Sequence, residues 1–451
     1  MRVKKDRQMA LSFASSRGPK IVADFERKYN RMSEVLDENP EVLDLVHGDL
    51  KGAAGANPKG RSGDYTTESI LRALVVHCTE GLSLRRTIIR IAHSDFLCEF
   101  LRLGNRPVMD YSFLDRCFRA IRPQTWEALV ERLGTWGVAQ GHVDPSEVRT
   151  DTTVTEANIH WPTDASLLWD SYRVLTRLVR RARPLLAGLL DHRFHDRKAK
   201  RHYLYIARYS ASTAKTRQRE VKARFGELIG SVRRVLGIAE QVHAAARQSC
   251  SVELAGIGAE LGQYLPAVRT IAHVAQRAAI RGETVPASER IFSLFEQHTE
   301  LIQRGKRSKP VEFGHVIQLV QTRDKFITHY RVLERRVADS ALLAPAVEAH
   351  RRQFGSYPEA VTADCGFHGR PEVMDEVRQK VGTVAVAKNV REWSGEAFGR
   401  FRSFRAGIEG SISVLKRAFW LARCLFRGFR NFASSVGLSV FCHNLVLLAK
   451  A

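Results

Sequence analysis

The stretch Glu147-Val148-Arg149-Thr150-Asp151-Thr152-Thr153-Val154-Thr155 decides how the chain is read. It is short and rich in β-branched residues, which predicts a strand. An Asp inside such a strand is disfavoured unless it lies at the rim of the sheet or binds something. Asp151 is therefore a candidate functional residue, although a lone Asp of this kind is ordinarily a strand-end or turn residue.

Outward from this strand the period changes on both sides. Residues 164–305 return to helix, with long Arg- and Leu-rich segments over 167–190, 198–246 and 252–281 that contain few Gly or Pro. They predict an almost wholly helical insertion of antiparallel hairpins. Strand-like sequence resumes after Pro310, where 313–319 and 325–332 flank the turn Gln321-Thr322-Arg323-Asp324. A helix is expected over 341–354, a short buried strand at Ala360-Val361-Thr362-Ala363-Asp364, a helix over 371–380, a strand over 383–387 and a helical block from Phe401.

Towards the N-terminus, residues 64–143 predict a compact helical domain. Thr66 or Thr67 caps its first helix, Gly81 ends it, Ser83 opens a second over 84–92, and Asp95, Ser112 and Pro123 mark further starts. Short helices carrying Arg85 and Arg86 suit a helix-turn-helix-like DNA-binding module, against the plainer alternative of a bundle that only packs. Residues 1–63 read as an irregular leader with one helix over 21–36 and a linker over 52–63. The fold class is α/β: a core made of 144–163 and 306–451, split by the α insertion 164–305 and preceded by the all-α domain 64–143.

Charge narrows the partner. Lys plus Arg number 71 against 48 Asp plus Glu, a formal net charge of +23. Such an excess points to a polyanion, with nucleic acid ahead of an anionic membrane surface. The most apolar run, 436–449, is interrupted by His443 and Asn444 and is shorter than a bilayer span. The N-terminus lacks the apolar segment of a signal peptide. The seven cysteines form no Cys-x-x-Cys pair, which fits reduced thiols and neither a disulfide scaffold nor a zinc ribbon. A cytoplasmic, nucleoid-associated protein without a membrane partner is expected. Phosphate-binding and dinucleotide-binding glycine motifs are absent, so neither ATP nor NAD is indicated.

Asp364 repeats the situation of Asp151, because Ala360–Asp364 ends a strand on an Asp just before the glycine turn Cys365-Gly366-Phe367. Two carboxylates at strand ends of one sheet can converge on Mg²⁺, which accepts oxygen ligands and keeps several waters. Glu409 offers a third, in the helical stretch from Arg405 to Lys416. Separations of four and seven residues put Arg405, Glu409 and Lys416 on one helix face. Glu409 can reach a metal there while Arg405 and Lys416 meet phosphate; the plainer alternative is an i,i+4 salt bridge. Gly407 and Gly410 weaken the helix and make sense where DNA or a strand approaches closely.

These segments resemble the catalytic signatures of bacterial insertion-sequence transposases of the DDE class. Arg405, Glu409 and Lys416 match the family's Arg-x3-Glu-x6-Lys pattern, and Asp364-Cys365-Gly366-Phe367 resembles its Asp-x-Gly-Phe/Tyr turn. Asp151-Thr152-Thr153-Val154-Thr155 resembles the first signature of one branch, which also runs into a helical insertion. The family often has a Tyr three residues before the Arg, where this chain has Arg402. The resemblance implies an RNase H-like catalytic domain. It implies Asp151, Asp364 and Glu409 as catalytic and metal-binding residues, with Mg²⁺ as cofactor and Mn²⁺ as a substitute. Arg405 and Lys416, with Arg85 and Arg86 on the N-terminal helices, are the expected DNA contacts. The partners are transposon-end and target DNA and a second copy of the chain, in a homodimer or higher homo-oligomer. A domesticated DNA-binding relative without catalysis and a stand-alone nuclease are the alternatives.

Other residues are weaker candidates. His192 and His195 have metal-ligand spacing but no third ligand, and a surface helix is the better reading. His160, Trp161 and Asp164 either line the rim of the active site or simply end the strand. Cys365 lacks an activating His. Lys388 and Asn389 end a strand where a DNA contact is possible.

Overall fold

The computed structural model describes residues 4, 19–53, 65–186, 192–306, 309–389 and 399–450. They form two compact units, residues 1–157 with 314–451, and residues 158–313.

The first unit opens with seven helices: α1 (Lys20–Glu38), α2 (Pro40–Ala53), α3 (Thr67–Thr79), α4 (Leu84–Ala92), α5 (Asp95–Phe100), α6 (Tyr111–Ala120) and α7 (Pro123–Ala139). The expected start signals largely work. Thr66 accepts a bond from the Ser69 N–H at 3.0 Å, Ser83 and Ser94 cap α4 and α5, and Pro123 takes the first position of α7. Gly81, at φ 61°, ends the turn after α3. The leader differs from expectation. It holds two helices, and Tyr29, Met32, Val42, Val46 and Leu50 are buried in the same core as α3, α6 and α7. Of the linker expected over 52–63, residues 54–63 lie outside the described residues.

α3 is buried along almost its whole length, including its charged residues. Arg72 donates to Glu68 at 3.1 Å, Asp37 at 3.1 Å and Ser33 at 2.7 Å, and Arg102 bonds the same two carboxylates. α3 is thus a core helix, and α4 beside it is largely exposed.

The chain then enters β1 (Glu147–Glu156) and leaves for the second unit, which contains α8 (Asp164–Ala182), α9 (Asp196–Tyr209), α10 (Lys215–Gln248) and α11 (Val252–Ala275). These helices share a core of their own built on Leu168, Leu175, Leu178, Val232, Ala239, Leu261 and Val268. Thr163 and Ser166 form a reciprocal cap at the start of α8. The expectation of an almost wholly helical insertion fails after α11. A π-type turn over Gln276–Arg281 ends at Gly282, the chain then runs without long helices, and β2 (Glu300–Lys306) forms before β3 (Lys309–Thr322) carries the chain back.

The first unit is completed by β4 (Ile327–Val332), α12 (Leu343–Phe354), β5 (Ala360–Thr362), α13 (Pro371–Lys380), β6 (Thr383–Ala385), α14 (Gly399–Ala418) and α15 (Phe429–Leu448). Strand β1 pairs antiparallel with β3, and β3 antiparallel with β4; on its other side β1 pairs parallel with β5, and β5 with β6. The resulting order β4-β3-β1-β5-β6, with β2 also beside β3, is an RNase H-like core. α15 starts seven residues before the apolar run at 436. It is long and apolar enough to cross a membrane, yet it is mostly buried against α3, α7 and β4. Two of its serines bond inside that core: Ser434 donates to the Ile121 carbonyl and Ser439 to the Ser435 carbonyl.

Candidate active site

The register of β1 and β5 bears on Asp151 and Asp364. Arg149 of β1 pairs with Thr362 of β5 in parallel, the last pair of that ladder, and residues so paired point to the same face. Asp151 lies two residues past that pair on β1, and Asp364 lies two residues past it beyond the end of β5, with its backbone extended at φ −76° and ψ 175°.

That face is the one covered by α14. Arg149 reaches through it, donating from Nε to Gln321 Oε1 at 2.9 Å and from Nη2 to the same oxygen at 2.6 Å, while Nη1 bonds the Phe404 carbonyl. Its guanidinium also lies 4.9 Å from the centre of the Phe404 ring, and Arg323 lies 4.6 Å from that ring. Glu147, at the start of β1, binds both Arg323 and Arg400. Burial acts to raise the Glu147 carboxyl, but the two guanidiniums outweigh it and hold it below its usual range. Burial, with Arg323 nearby, lowers Arg149 to about 10, still well above neutral pH. At the other end of β1, Thr155 donates to the Leu421 carbonyl at 2.8 Å, and Glu156 exchanges backbone bonds with Ala422 and Cys424. α14 and its exit therefore run alongside β1 in the same direction.

Phe401, Phe404, Ile408, Ser411 and Leu415 form the buried seam of α14. Arg405 and Lys416 lie half-buried on its flank and Glu409 is exposed there, in the one stripe their spacing predicts.

The glycines divide. A Cβ on Gly407 would stand 2.2 Å from Arg149 Nη1, so a larger residue there must displace that buried guanidinium, whereas a Cβ on Gly410 would meet nothing within 4 Å. The close approach expected at both exists only at Gly407, and it is a strand residue that approaches.

Among the described residues, no three His, Cys, Asp or Glu side chains come together as a ligand set. Asp364 Oδ1 accepts the Gly366 N–H at 2.9 Å, Asp151 Oδ1 accepts the Thr152 N–H at 2.7 Å, and Glu409 lies at the surface. Carboxylate oxygens are the ligand type that a hard divalent cation accepts, and among the described residues no Arg or Lys ion pair engages Asp364 or Glu409. Asp339 is a neighbour that sequence reasoning missed. Its Oδ2 lies 3.4 Å, and Asp364 Oδ1 3.1 Å, from where a Gly366 Cβ would stand. Nothing in the sequence near Asp339 signals that it returns to this turn. Arg149 was also missed, although its position two residues before Asp151 on the same strand face was visible.

The remaining candidates fall elsewhere. Arg85 and Arg86 are exposed on α4, and Arg85 rests on Tyr111, 4.6 Å from its ring and 3.0 Å from its hydroxyl. In the second unit, Asp164 is paired with Arg290 at 2.9 Å, His160 lies 3.6 Å from Asp170, and Trp161 meets the Phe313 ring edge-on. These are contacts internal to the insertion. His192 and His195 are exposed before α9, and Lys388 and Asn389 are exposed after β6.

The family model described as the transposase DDE domain matches residues 297–445. The match contains β3 to β6, Asp364, α14 and Glu409; Asp151 lies before it, on the far side of the insertion. The chain matches no curated protein and no solved structure.

Proposed function

We propose that this chain, which contains a transposase DDE domain over residues 297–445, cuts DNA at the ends of a mobile element and joins those ends to a target. The observation that supports this is the β1–β5 register, whose last pair, Arg149 and Thr362, stands two residues before Asp151 and Asp364 respectively, on a sheet that α14 packs against.

Asp151, Asp364 and Glu409 would hold Mg²⁺, with Mn²⁺ as a substitute. When bound, such ions supply charge stabilisation to the attacking and leaving oxygens of an in-line displacement at phosphorus. The chain's own residues do the positioning. β1 holds Asp151 in register with Leu319 of β3. Arg149, Gln321 and Phe404 seat α14, the helix that carries Glu409. Arg405 and Lys416, on the stripe that carries Glu409, hold backbone phosphates near the carboxylates. Two element ends per event call for at least two copies of the chain.

The test is Glu409→Gln, which keeps size and hydrogen bonding and removes the charge. Mg²⁺-dependent cleavage of element-end DNA, measured in single turnover, is expected to fall by about 10²-fold or more, the scale on which loss of a transition-state charge stabiliser acts. End binding is expected to persist, because affinity comes mainly from Lys and Arg on phosphates. Equal cleavage by both proteins removes Glu409 from the site. A wild type that binds ends and never cuts them returns the chain to the class of DNA-binding relatives.

A further inference from the structure

The hairpin of α9 and the first turns of α10 carries more positive charge than the carboxylates around it, among the described residues, balance. Residues 193–224 contain 11 Lys and Arg against 2 Asp and Glu, and every one of those cations is exposed. Both acids are already engaged. Asp196 accepts from Arg180 at 2.8 Å and from Tyr172 at 3.2 Å, and Glu220 accepts from Arg217 at 3.1 Å. Arg217 and Arg224 lie over Tyr209 and Tyr205, at 4.5 and 5.4 Å, and so clip α10 to α9. Lys198 pairs with Glu227. Arg197, Lys200, Arg201, Lys215, Arg219 and Lys222 have no carboxylate partner among the described residues.

This arrangement works against the hairpin's own stability. Arg197 and Arg201, and Lys215 and Arg219, are like charges four residues apart, which disfavours a helix. Lys215 and Arg217 stand at the N-terminus of α10, against the helix dipole, with no acid in the first turn and no side-chain cap. Nor does burial offset the cost, since the first buried residue of α10 is Leu228, thirteen residues in. The transposase match at 297–445 does not include this segment.

We propose that the α9–α10 hairpin is a second, sequence-independent binding surface for duplex DNA, presenting Arg197, Lys200, Arg201, Lys215, Arg219 and Lys222 to the phosphate backbone. The inference rests on the reading of the chain as a DNA-handling enzyme. One turn of helix rises 5.4 Å, so α9 offers a cation at nearly every turn from Arg197 to Arg208. Side chains of this kind release counterions from DNA and bind without reading bases.

The test uses the full chain with Arg197, Arg201, Lys215 and Arg219 all changed to Gln, and measures binding to a duplex of arbitrary sequence across salt. The salt slope is expected to fall by about 2–4 units and the affinity at low salt by about 10-fold or more, since each phosphate contact contributes about 0.9 to the slope. A companion variant with Lys at positions 197, 201 and 219 keeps the charge and is expected to keep the wild-type slope. The Gln variant is expected to melt no lower than wild type and to cut end DNA at saturating protein. An unchanged slope and affinity, with cutting intact, overturns the hairpin surface and leaves the transposase reading standing. A wild type that binds no duplex at low salt overturns both. Lost binding to phosphatidylserine vesicles with duplex binding unchanged overturns the proposal in favour of a membrane surface.

Discussion

Arg72 and Arg149 in the first unit, and Lys215 and Arg219 in the insertion, are cations put to opposite uses. Arg72 and Arg149 are buried, and each reaches two or more acceptors at hydrogen-bond distance. Lys215 and Arg219 are exposed and meet no carboxylate among the described residues. A buried cation must be matched, because leaving its charge or its partners unsatisfied costs several kcal/mol. A surface cation needs no partner, so a dense cluster of unmatched ones is a surplus that folding does not require. The comparison teaches that the +23 net charge is not one property. Part of the basic residue content holds the helical layer and the sheet together, and another part remains available to a polyanion.

Breaking the buried side of this comparison should have the largest effect. Arg72→Met leaves Glu68, buried in α3, with only Arg102, and is expected to lower unfolding stability by about 3–5 kcal/mol. Chemical denaturation of the full chain measures it, and a loss below about 1 kcal/mol would mean that Arg102 alone satisfies the site. The next effect is at Gly407. Its Ala variant drives a methyl into Arg149 and is expected to cost about 1–3 kcal/mol, as overpacking does, with a parallel loss of DNA cleavage as α14 shifts. Smallest is Gly410→Ala, three residues away on the same helix. It meets nothing within 4 Å and is expected to stabilise α14 by up to about 1 kcal/mol with cleavage intact. Equal behaviour of the two glycine variants would contradict the seat described for Arg149.

The candidate site residues stand out in the sequence because carboxylates within strands break local rules. Asp151 in a β-branched strand and Asp364 at a strand end are visible without any knowledge of pairing, and the spacing of Arg405, Glu409 and Lys416 needs only helix geometry. The elements of strong period were also legible: the helix over 371–380 and the strand from Thr383 stand as expected. What stayed hidden depends on partners distant in sequence. Arg149 looks like an ordinary strand cation until Gln321 and Phe404 arrive from elsewhere. α2 was hidden because Pro40 looks like a breaker, although proline is well suited to the first turn of a helix. β2 was hidden because Glu300-Leu301-Ile302-Gln303-Arg304 is short and mostly polar, without the run of β-branched residues that marks β1. Asp339 reaches the Asp364 turn through tertiary structure alone.

The central proposal is that Asp151 and Asp364, each two residues past the last β1–β5 pair, belong to one divalent-metal site with Glu409. Titration of the full chain with Mn²⁺, followed by the electron paramagnetic resonance of the free ion, tests it without requiring a DNA substrate. Wild type is expected to bind Mn²⁺ at a site that Mg²⁺ displaces, and Asp151→Asn, Asp364→Asn and Glu409→Gln are each expected to weaken that binding about 10-fold or more, as loss of one carboxylate from a small oxygen site should. Mn²⁺ binding that is unaffected by Asp151→Asn and Asp364→Asn alike would contradict the account.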